Sequence, residues 1–424
     1  MLKKNFFKKL KDRNLIFQTT NEKKINNLLK KKIFVYCGFD PTSDSLHIGH
    51  ILPLLCLRRF QLQGHTPIVL IGGATSLIGD PSFKLKERKL FSQDSILKWM
   101  YKIKNQISLF LDFSNISNKA IILNNYDWFK NMNVLDFLRN VGKNFTINNM
   151  INKESVKNRF IKKKKGISFT EFSYSLLQAY DFSVLYKKFN VLLQIGGSDQ
   201  WGNITSGIHL TYILHKSKVF GLTLPLLIKS DGKKFGKSES KTIWLDPKKT
   251  TPYEFYQFWI NVKDTEVYDY LKYFTFLSIK DINNMKKKDF VNKTFFKSKE
   301  KLAKKITCLV HGKSNFFSSK INSKIFFSSK IKYLSENDFI QLKKNKAPFI
   351  FLKNKKYSLY KILVSSFLAS SNRNAKDLIN SNAISINYKK QIDIHYILKD
   401  SDKLFNKYTL LSKGKKNFLL LIWK

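Results

Sequence analysis

An α/β architecture is predicted for this chain: a parallel sheet flanked by helices, then a helical stretch, then a small α+β part at the C-terminal end. Three observations carry the prediction. Residues 33–37 (I-F-V-Y-C), 67–71 (P-I-V-L-I) and 191–195 (V-L-L-Q-I) are short apolar runs with the length of buried strands. Each runs directly into glycines or other turn formers. Long stretches of helical character separate the three runs.

The first run ends in Gly38, Asp40-Pro41 and Ser43-Asp44-Ser45. Residues 46–63 then have the length and apolar content of a helix, with Ser45 as the expected N-cap. His47 and His50 stand three apart in its first turns and share one face. Gly49 between them leaves bare backbone where a flat ring could lie close. A helix N-terminus offers free N–H groups and a positive dipole end, both suited to a phosphate chain. Two imidazole donors there could meet negative charge developing on a phosphate. A bare H-x-G-H fits an ordinary strand–helix crossover with incidental histidines equally well.

The second run leads into Gly72-Gly73-Ala74-Thr75 and on to Gly79-Asp80-Pro81-Ser82. Asp80 falls beyond a strand's carboxyl end, where open α/β sheets bind ligands, or it is simply an Asp-Pro turn residue. Lys84 and Arg88 lie four apart on the expected next helix, as a phosphate-facing or a solvated pair. Residues 92–160 read as mostly helical. A further helix is expected over 170–186, where Tyr174, Gln178 and Asp181 project from one side. That stripe faces solvent or recognises a ligand bearing an amine and a hydroxyl.

The third run opens into Gly196-Gly197-Ser198-Asp199-Gln200, with an acid able to hold a ribose hydroxyl. After a strand near 222–228 comes Ser230-Asp231-Gly232-Lys233-Lys234-Phe235-Gly236-Lys237-Ser238, a phosphate-binding loop or a basic surface turn. Residues 252–312 are helical in pattern and 314–335 read as loose connecting structure. The last part changes to helices near 359–368 and 375–381 and strands near 383–387, 408–411 and 418–423. No repeats occur.

Composition bounds the function. The chain has 424 residues and 43% hydrophobic residues, enough for several domains with sizeable cores. No apolar run has spanning length, so no transmembrane helix and no membrane partner are expected. Residues 1–20 are Lys-rich, with Leu2, Phe6, Phe7 and Leu10 on one helical face, which favours a docked surface helix over a targeting signal. Cys37, Cys56 and Cys308 show no paired spacing, which argues against a disulfide framework or a zinc site and for a reducing, cytoplasmic setting. The net charge of +47 fits phosphate-rich partners, but mutational bias also explains it, since only seven of 77 basic residues are Arg.

Taken in order, these pieces resemble the bacterial tyrosyl-tRNA synthetases, a class I aminoacyl-tRNA synthetase family. Leu46-His47-Ile48-Gly49-His50 is similar to the class's H-I-G-H signature, and Lys234-Phe235-Gly236-Lys237-Ser238 to its K-M-S-K-S loop. Phe and Gly stand where that second signature has Met and Ser. Residues 72–82, 178–182 and 194–203 are similar to the segments that distinguish the tyrosyl branch. The last seventy or so residues resemble an RNA-binding domain shared with a small-subunit ribosomal protein.

The resemblance implies a Rossmann-like catalytic domain over 1–228 with a helical insertion. A helical tRNA-contacting domain carrying the K-F-G-K-S loop follows over 229–330, then a linker over 331–350 and the RNA-binding domain over 351–424. It implies activation of L-tyrosine by ATP to tyrosyl-adenylate, then transfer to the terminal ribose of tRNA(Tyr), by a homodimer. His47, His50, Lys234 and Lys237 are the implied catalytic residues. Tyr36 and Asp181 would read the phenol; Asp80, Tyr174 and Gln178 the ammonium; Gln200 would orient tyrosine's polar end. ATP would meet Gly38, Asp40, Thr42, Gly49, Gly197, Asp199 and Ser238 besides the four catalytic residues. Mg²⁺ would arrive with ATP, with no protein-bound metal or organic cofactor. Arg373, Lys376, Lys413 and Lys415 would contact RNA.

Overall fold

The computed structural model describes all residues except 1–4, 83–89, 115–116, 154–155, 158–166, 228–234, 237–241, 327–333, 345–346, 354 and 415–416. The chain divides into two compact units, Met1–Thr250 with Val262–Leu302, and Thr251–Asn261 with Ala303–Lys424. This division differs from the boundaries expected from sequence, since residues before 251 and after 261 fall in one compact unit.

The first unit is built on a six-stranded sheet: β1 (Gln18–Thr19), β2 (Phe34–Phe39), β3 (Thr66–Ile71), β4 (Ile121–Asn124), β5 (Val191–Gly197) and β6 (Phe220–Leu224). Its spatial order is β1-β6-β5-β2-β3-β4, all parallel except the β1–β6 pair. The winding reverses between β2 and β5, and open α/β sheets bind ligands beyond the carboxyl ends of such a pair. The three predicted runs are the central strands β2, β3 and β5. β4 falls inside the stretch expected to be helical; its run of Ile121, Ile122 and Leu123 is too short to stand out beside the surrounding helical periodicity.

Helix α1 (Phe6–Asp12) buries Phe6, Phe7 and Leu10, as the N-terminal pattern predicted. Helix α2 (Ile51–Leu62) follows a single 3₁₀ turn, Ile48–His50. Helix α3 (Phe169–Phe189) starts on a Ser168 cap and stops at Asn190 in the left-handed region, φ 53°. Helix α4 (Trp201–His215) begins at the end of β5. Two further helices, α5 (Val267–Phe274) and α6 (Ile279–Val291), complete this unit's labelled helices.

The second unit holds a five-stranded sheet: β7 (Phe349–Leu352), β8 (Ile384–Ile386), β9 (Lys389–Lys390), β10 (Tyr408–Lys413) and β11 (Asn417–Trp423), in the order β7-β11-β10-β8-β9. Helices α7 (Leu359–Ser365) and α8 (Asn372–Asn380) share a core with it through Leu359, Leu363, Ala375 and Ile379. Two expectations are corrected here. Helix Phe296–Phe326, broken at Gly312, runs through much of the stretch expected to be loose. Glu336–Lys344 is also helical and buries Phe339 and Leu342, so these residues are not linker. Their Ser, Lys and Asn content masks apolar residues spaced for burial.

Candidate active site

Strand β2 carries Tyr36 into the core, where its ring meets Phe182 of α3 edge-on at 5.1 Å. The same face of α3 presents Tyr174, Gln178 and Asp181. Asp181 is buried and accepts hydrogen bonds from Asn125 Nδ2 at 3.1 Å and Trp128 Nε1 at 2.9 Å. Asn125 Nδ2 also donates to Thr75 Oγ1 at 3.1 Å, and Asn125 Oδ1 accepts from the Ala74 N–H at 2.7 Å. Thr75 Oγ1 donates to one oxygen of Asp40 at 2.8 Å, and the Tyr174 hydroxyl to the other at 2.7 Å. One continuous network therefore runs from Trp128 through Asp181 and Asp40 to Tyr174. Gly72 is required beside it, because a Cβ there would stand 1.8 Å from Asp40 Oδ1.

Electrostatics fixes the protonation of this pocket. Burial pushes the phenol of Tyr36 well above its usual range, and the charge of Asp181 adds to the rise. The Tyr174 phenol is raised by burial and by Asp40 and Asp80. Both phenols keep their protons and stay donors. Burial also raises the Asp181 carboxyl, against the pull of its Asn125 and Trp128 donors. Tyr36 Oη, Gln178 Oε1 and Gln194 Oε1 are among the buried oxygens that have no hydrogen-bond partner. Gln194 is the residue on β5 in register with Tyr36 on β2, so both side chains leave the sheet on one face.

On the other side of Asp40, His47 caps the 3₁₀ turn rather than lying inside a helix. Its Nδ1 accepts from the Gly49 N–H at 3.1 Å, and His50 Nδ1 accepts from the His47 N–H at 3.1 Å. Ser45, the expected cap, instead donates to the Leu46 carbonyl and accepts from the Asp246 N–H. The reciprocal bonds have a chemical consequence. With each Nδ1 occupied as an acceptor, a neutral imidazole carries its proton on Nε2, which remains a donor. Burial and His47 together hold His50 well below the usual histidine range, which keeps it neutral. The two rings stack at 4.0 Å, and the space a Gly49 Cβ would fill is taken by the His47 ring, 2.9 Å away. His50 also lies 6.2 Å from the ring of Phe39, the last residue of β2.

The glycine turn after β5 faces this region. Gln200 Nε2 donates to Asp80 Oδ2 at 2.8 Å. A Cβ on Gly197 would come within 2.3 Å of Asp199 Oδ1, while one on Gly38 would meet nothing within 4 Å. Thr42 is exposed. Of the second signature, Phe235 and Gly236 are described; Lys234, Lys237 and Ser238 lie outside the described residues, as do Lys84 and Arg88. The chain returning from that signature pairs with the first one: Ile48 N–H donates to the Ile243 carbonyl at 3.1 Å and Leu245 N–H to the Leu46 carbonyl at 2.8 Å. Asp44 is bound there by Lys249 and Lys102, which pull its carboxyl down to about 2.

In the second unit, Arg373 is exposed on α8, Lys376 lies over the Tyr360 ring at 5.4 Å, and Lys413 Nζ donates to the Leu368 carbonyl at 2.9 Å. Lys415 lies outside the described residues. Among the described residues no three His, Cys, Asp or Glu side chains gather as a metal set, and no helix is long and apolar enough to cross a membrane.

Sequence reasoning missed Thr75, Asn125, Trp128 and Gln194. The available signal was the apolar run 121–123 ending in paired asparagines. It marks a strand end, and hence the same sheet edge.

A sheet whose winding reverses at two glycine-ended strands, with an H-I-G-H turn on one of them, defines a class of nucleotide-using enzyme. The family model "tRNA synthetases class I (W and Y)" matches residues 28–328, and the chain belongs to that family. The model "Tyrosine--tRNA ligase SYY-like C-terminal domain" matches residues 338–421. A tyrosine--tRNA ligase of Cronobacter sakazakii is 53% identical over 425 residues, covering 100% of this chain and 99% of the relative. One from Escherichia coli is 52% identical and covers 100% of both. The solved structure of a C-terminally truncated mitochondrial tyrosyl-tRNA synthetase of Aspergillus nidulans has a TM-score of 0.69 and 29% identity, over 77% of this chain and 95% of that one. The chain is an aminoacyl-tRNA synthetase, and its activity is the ligation of tyrosine to tRNA.

Proposed function

We propose that the residues gathered at the carboxyl ends of β2 and β5 carry both halves of this activity. Tyr36 and Asp181 receive the substrate phenol, Asp80, Tyr174 and Gln178 its ammonium, and Gln200 orients its carboxylate end. One observation carries the assignment: Tyr36 Oη and Gln178 Oε1 are buried without partners, and buried polar atoms are ordinarily paired. A tyrosine between them supplies both with hydrogen bonds. Asp181 would accept a hydrogen bond from the phenol while Asn125 and Trp128 hold its carboxylate.

ATP lies over the bare face of Gly38, with its ribose on Asp199 near Gly197 and its phosphates toward Asp40, Thr42 and the Gly49 turn. The tyrosine carboxylate attacks the α-phosphate, the bond to the β-phosphate breaks, and pyrophosphate leaves. His47 and His50 donate Nε2–H to phosphate oxygens as charge builds, and Lys234, Lys237 and Ser238 meet the β- and γ-phosphates. No covalent enzyme intermediate is required. Mg²⁺ enters with ATP, its ligands mainly phosphate oxygens. The tRNA ribose hydroxyl then attacks the acyl carbon and releases AMP, with Arg373, Lys376, Lys413 and Lys415 on tRNA(Tyr).

The working form is a cytoplasmic homodimer. Helix Val134–Asn140 supports the dimer: Val134 is 67% exposed and Leu135 74%, an apolar face that suits a second copy. A Lys234→Ala variant tests the assignment. Pyrophosphate exchange should fall while tyrosine binding holds, and equal exchange would reject the phosphate role.

A further inference from the structure

The two signatures are joined by a second route, outside the ligand pocket. Phe235, inside K-F-G-K-S, is buried and stacks on Phe274 of α5 at 5.8 Å and 13°, with Tyr270 of the same helix 5.0 Å away. The next residue, Gly236, has φ +82°, and a Cβ on it would stand 2.7 Å from Ile48 Cγ1. Ile48 lies between His47 and Gly49. The middle of one signature is therefore seated on α5 and pressed against the middle of the other.

Helix α5 is in turn held by α2. Arg59 of α2 is 6% exposed, and its Nη2 donates to the carbonyls of Lys272, Tyr273 and Thr275 at 3.1, 3.0 and 2.7 Å. Its guanidinium lies over the Phe276 ring at 4.6 Å. Arg13 reaches the same helix end, donating to Lys272 and Thr275 at 3.0 and 3.2 Å and to Leu277. Helix carboxyl ends carry partial negative charge and unpaired carbonyls, so two guanidinium forks suit this one. Yet Arg59 Nε and Nη1 are buried with no partner, which makes this a costly way to cap a helix. A device that merely capped α5 would not need a charge from the helix that begins at His50.

We propose that α5 is a strut between the signatures, with Phe235 and Arg59 as positioning residues for tyrosine activation. Arg59 fixes α5 to α2, α5 seats Phe235, and Phe235 holds the middle of the second signature beside Ile48 of the first. The proposal rests on the phosphate role of Lys234 and Lys237.

The test uses the full-length chain with Phe235→Ala, Arg59→Met and the double variant. Equilibrium tyrosine binding and the rate of tyrosine-dependent pyrophosphate exchange are both measured. Each single change should lower the exchange rate by about tenfold or more and leave tyrosine affinity within about twofold. Phe235→Met, which keeps apolar bulk, should recover most of the rate. The double variant should lose clearly less than the product of the single losses, because both act on one strut. Near-normal exchange in either single variant, multiplicative losses, or tyrosine affinity falling in step with rate would each overturn the strut. If Arg59→Met does not fold, Arg59→Lys replaces it, keeping the charge but not the fork, with the same loss expected. A Lys234→Ala control separates the two claims. Unchanged exchange there defeats the phosphate role, whereas a loss there beside normal Phe235→Ala defeats the strut alone.

Discussion

The Asp181 carboxylate takes one donor on each oxygen, Asn125 on one and Trp128 on the other, and the proposed function gives a remaining acceptor position to the substrate phenol. Asp181→Ala should erase most of the preference for tyrosine over phenylalanine. Trp128→Phe should erode it by about fivefold, since one hydrogen bond contributes roughly 1 kcal/mol. Ratios of kcat/KM for the two amino acids in pyrophosphate exchange check both, and unchanged ratios would move the phenol site elsewhere. His65 makes a different statement. Fully buried between Phe6 and Phe60, it has no partner on either ring nitrogen and is pushed down to about 4. The unfolded chain binds this proton near pH 6.5, so stability is full above that pH and is lost as pH falls toward 4. Between pH 7 and 5 the loss should be about 2 kcal/mol. Thermal unfolding across that window checks it, and His65→Leu should flatten the slope; an equal slope would acquit His65. At this scale the sequence displayed Tyr36, Tyr174, Gln178 and Asp181, because helix spacing and resemblance expose them. It hid Asn125 and Trp128, which meet Asp181 only through the fold, and Thr75, which links Asn125 to Asp40.

Among the elements, the turn that starts α2 matters most. Helical periodicity suggested a helix from residue 46, and the structure begins it with a 3₁₀ turn capped by the very histidines under discussion. Periodicity cannot see a cap made by an imidazole, because histidine is not among the usual capping residues. The cap spends Nδ1 of each ring, so the donor each ring retains is Nε2–H, the one assigned to the phosphates in the proposed function. His50→Ala should slow tyrosine activation by on the order of a hundredfold and leave tyrosine affinity unchanged. Single-turnover adenylate formation beside equilibrium binding separates these, and a parallel loss of both would assign His50 to folding. The central strands were legible because buried parallel strands are continuous apolar runs. β4 and the helix at 336–344 were not, since each is short and bordered by polar residues that look like loop.

For the whole molecule, the +47 charge invites too much interpretation. Among the described residues most lysines are exposed, and Arg373 and Lys376 share helix α8. Arg373→Glu with Lys376→Glu should depress tRNA charging and make it less sensitive to salt, with pyrophosphate exchange intact. Charging at two salt concentrations checks this, and loss of exchange as well would deny a dedicated RNA surface. In the proposed function one pocket holds tyrosine, read by its phenol, against ATP. Pyrophosphate exchange run in parallel with tyrosine, tryptophan and phenylalanine tests it most directly. Tyrosine should drive exchange at concentrations where the other two give almost none; equal exchange with tryptophan or phenylalanine, or none with tyrosine, would contradict the account.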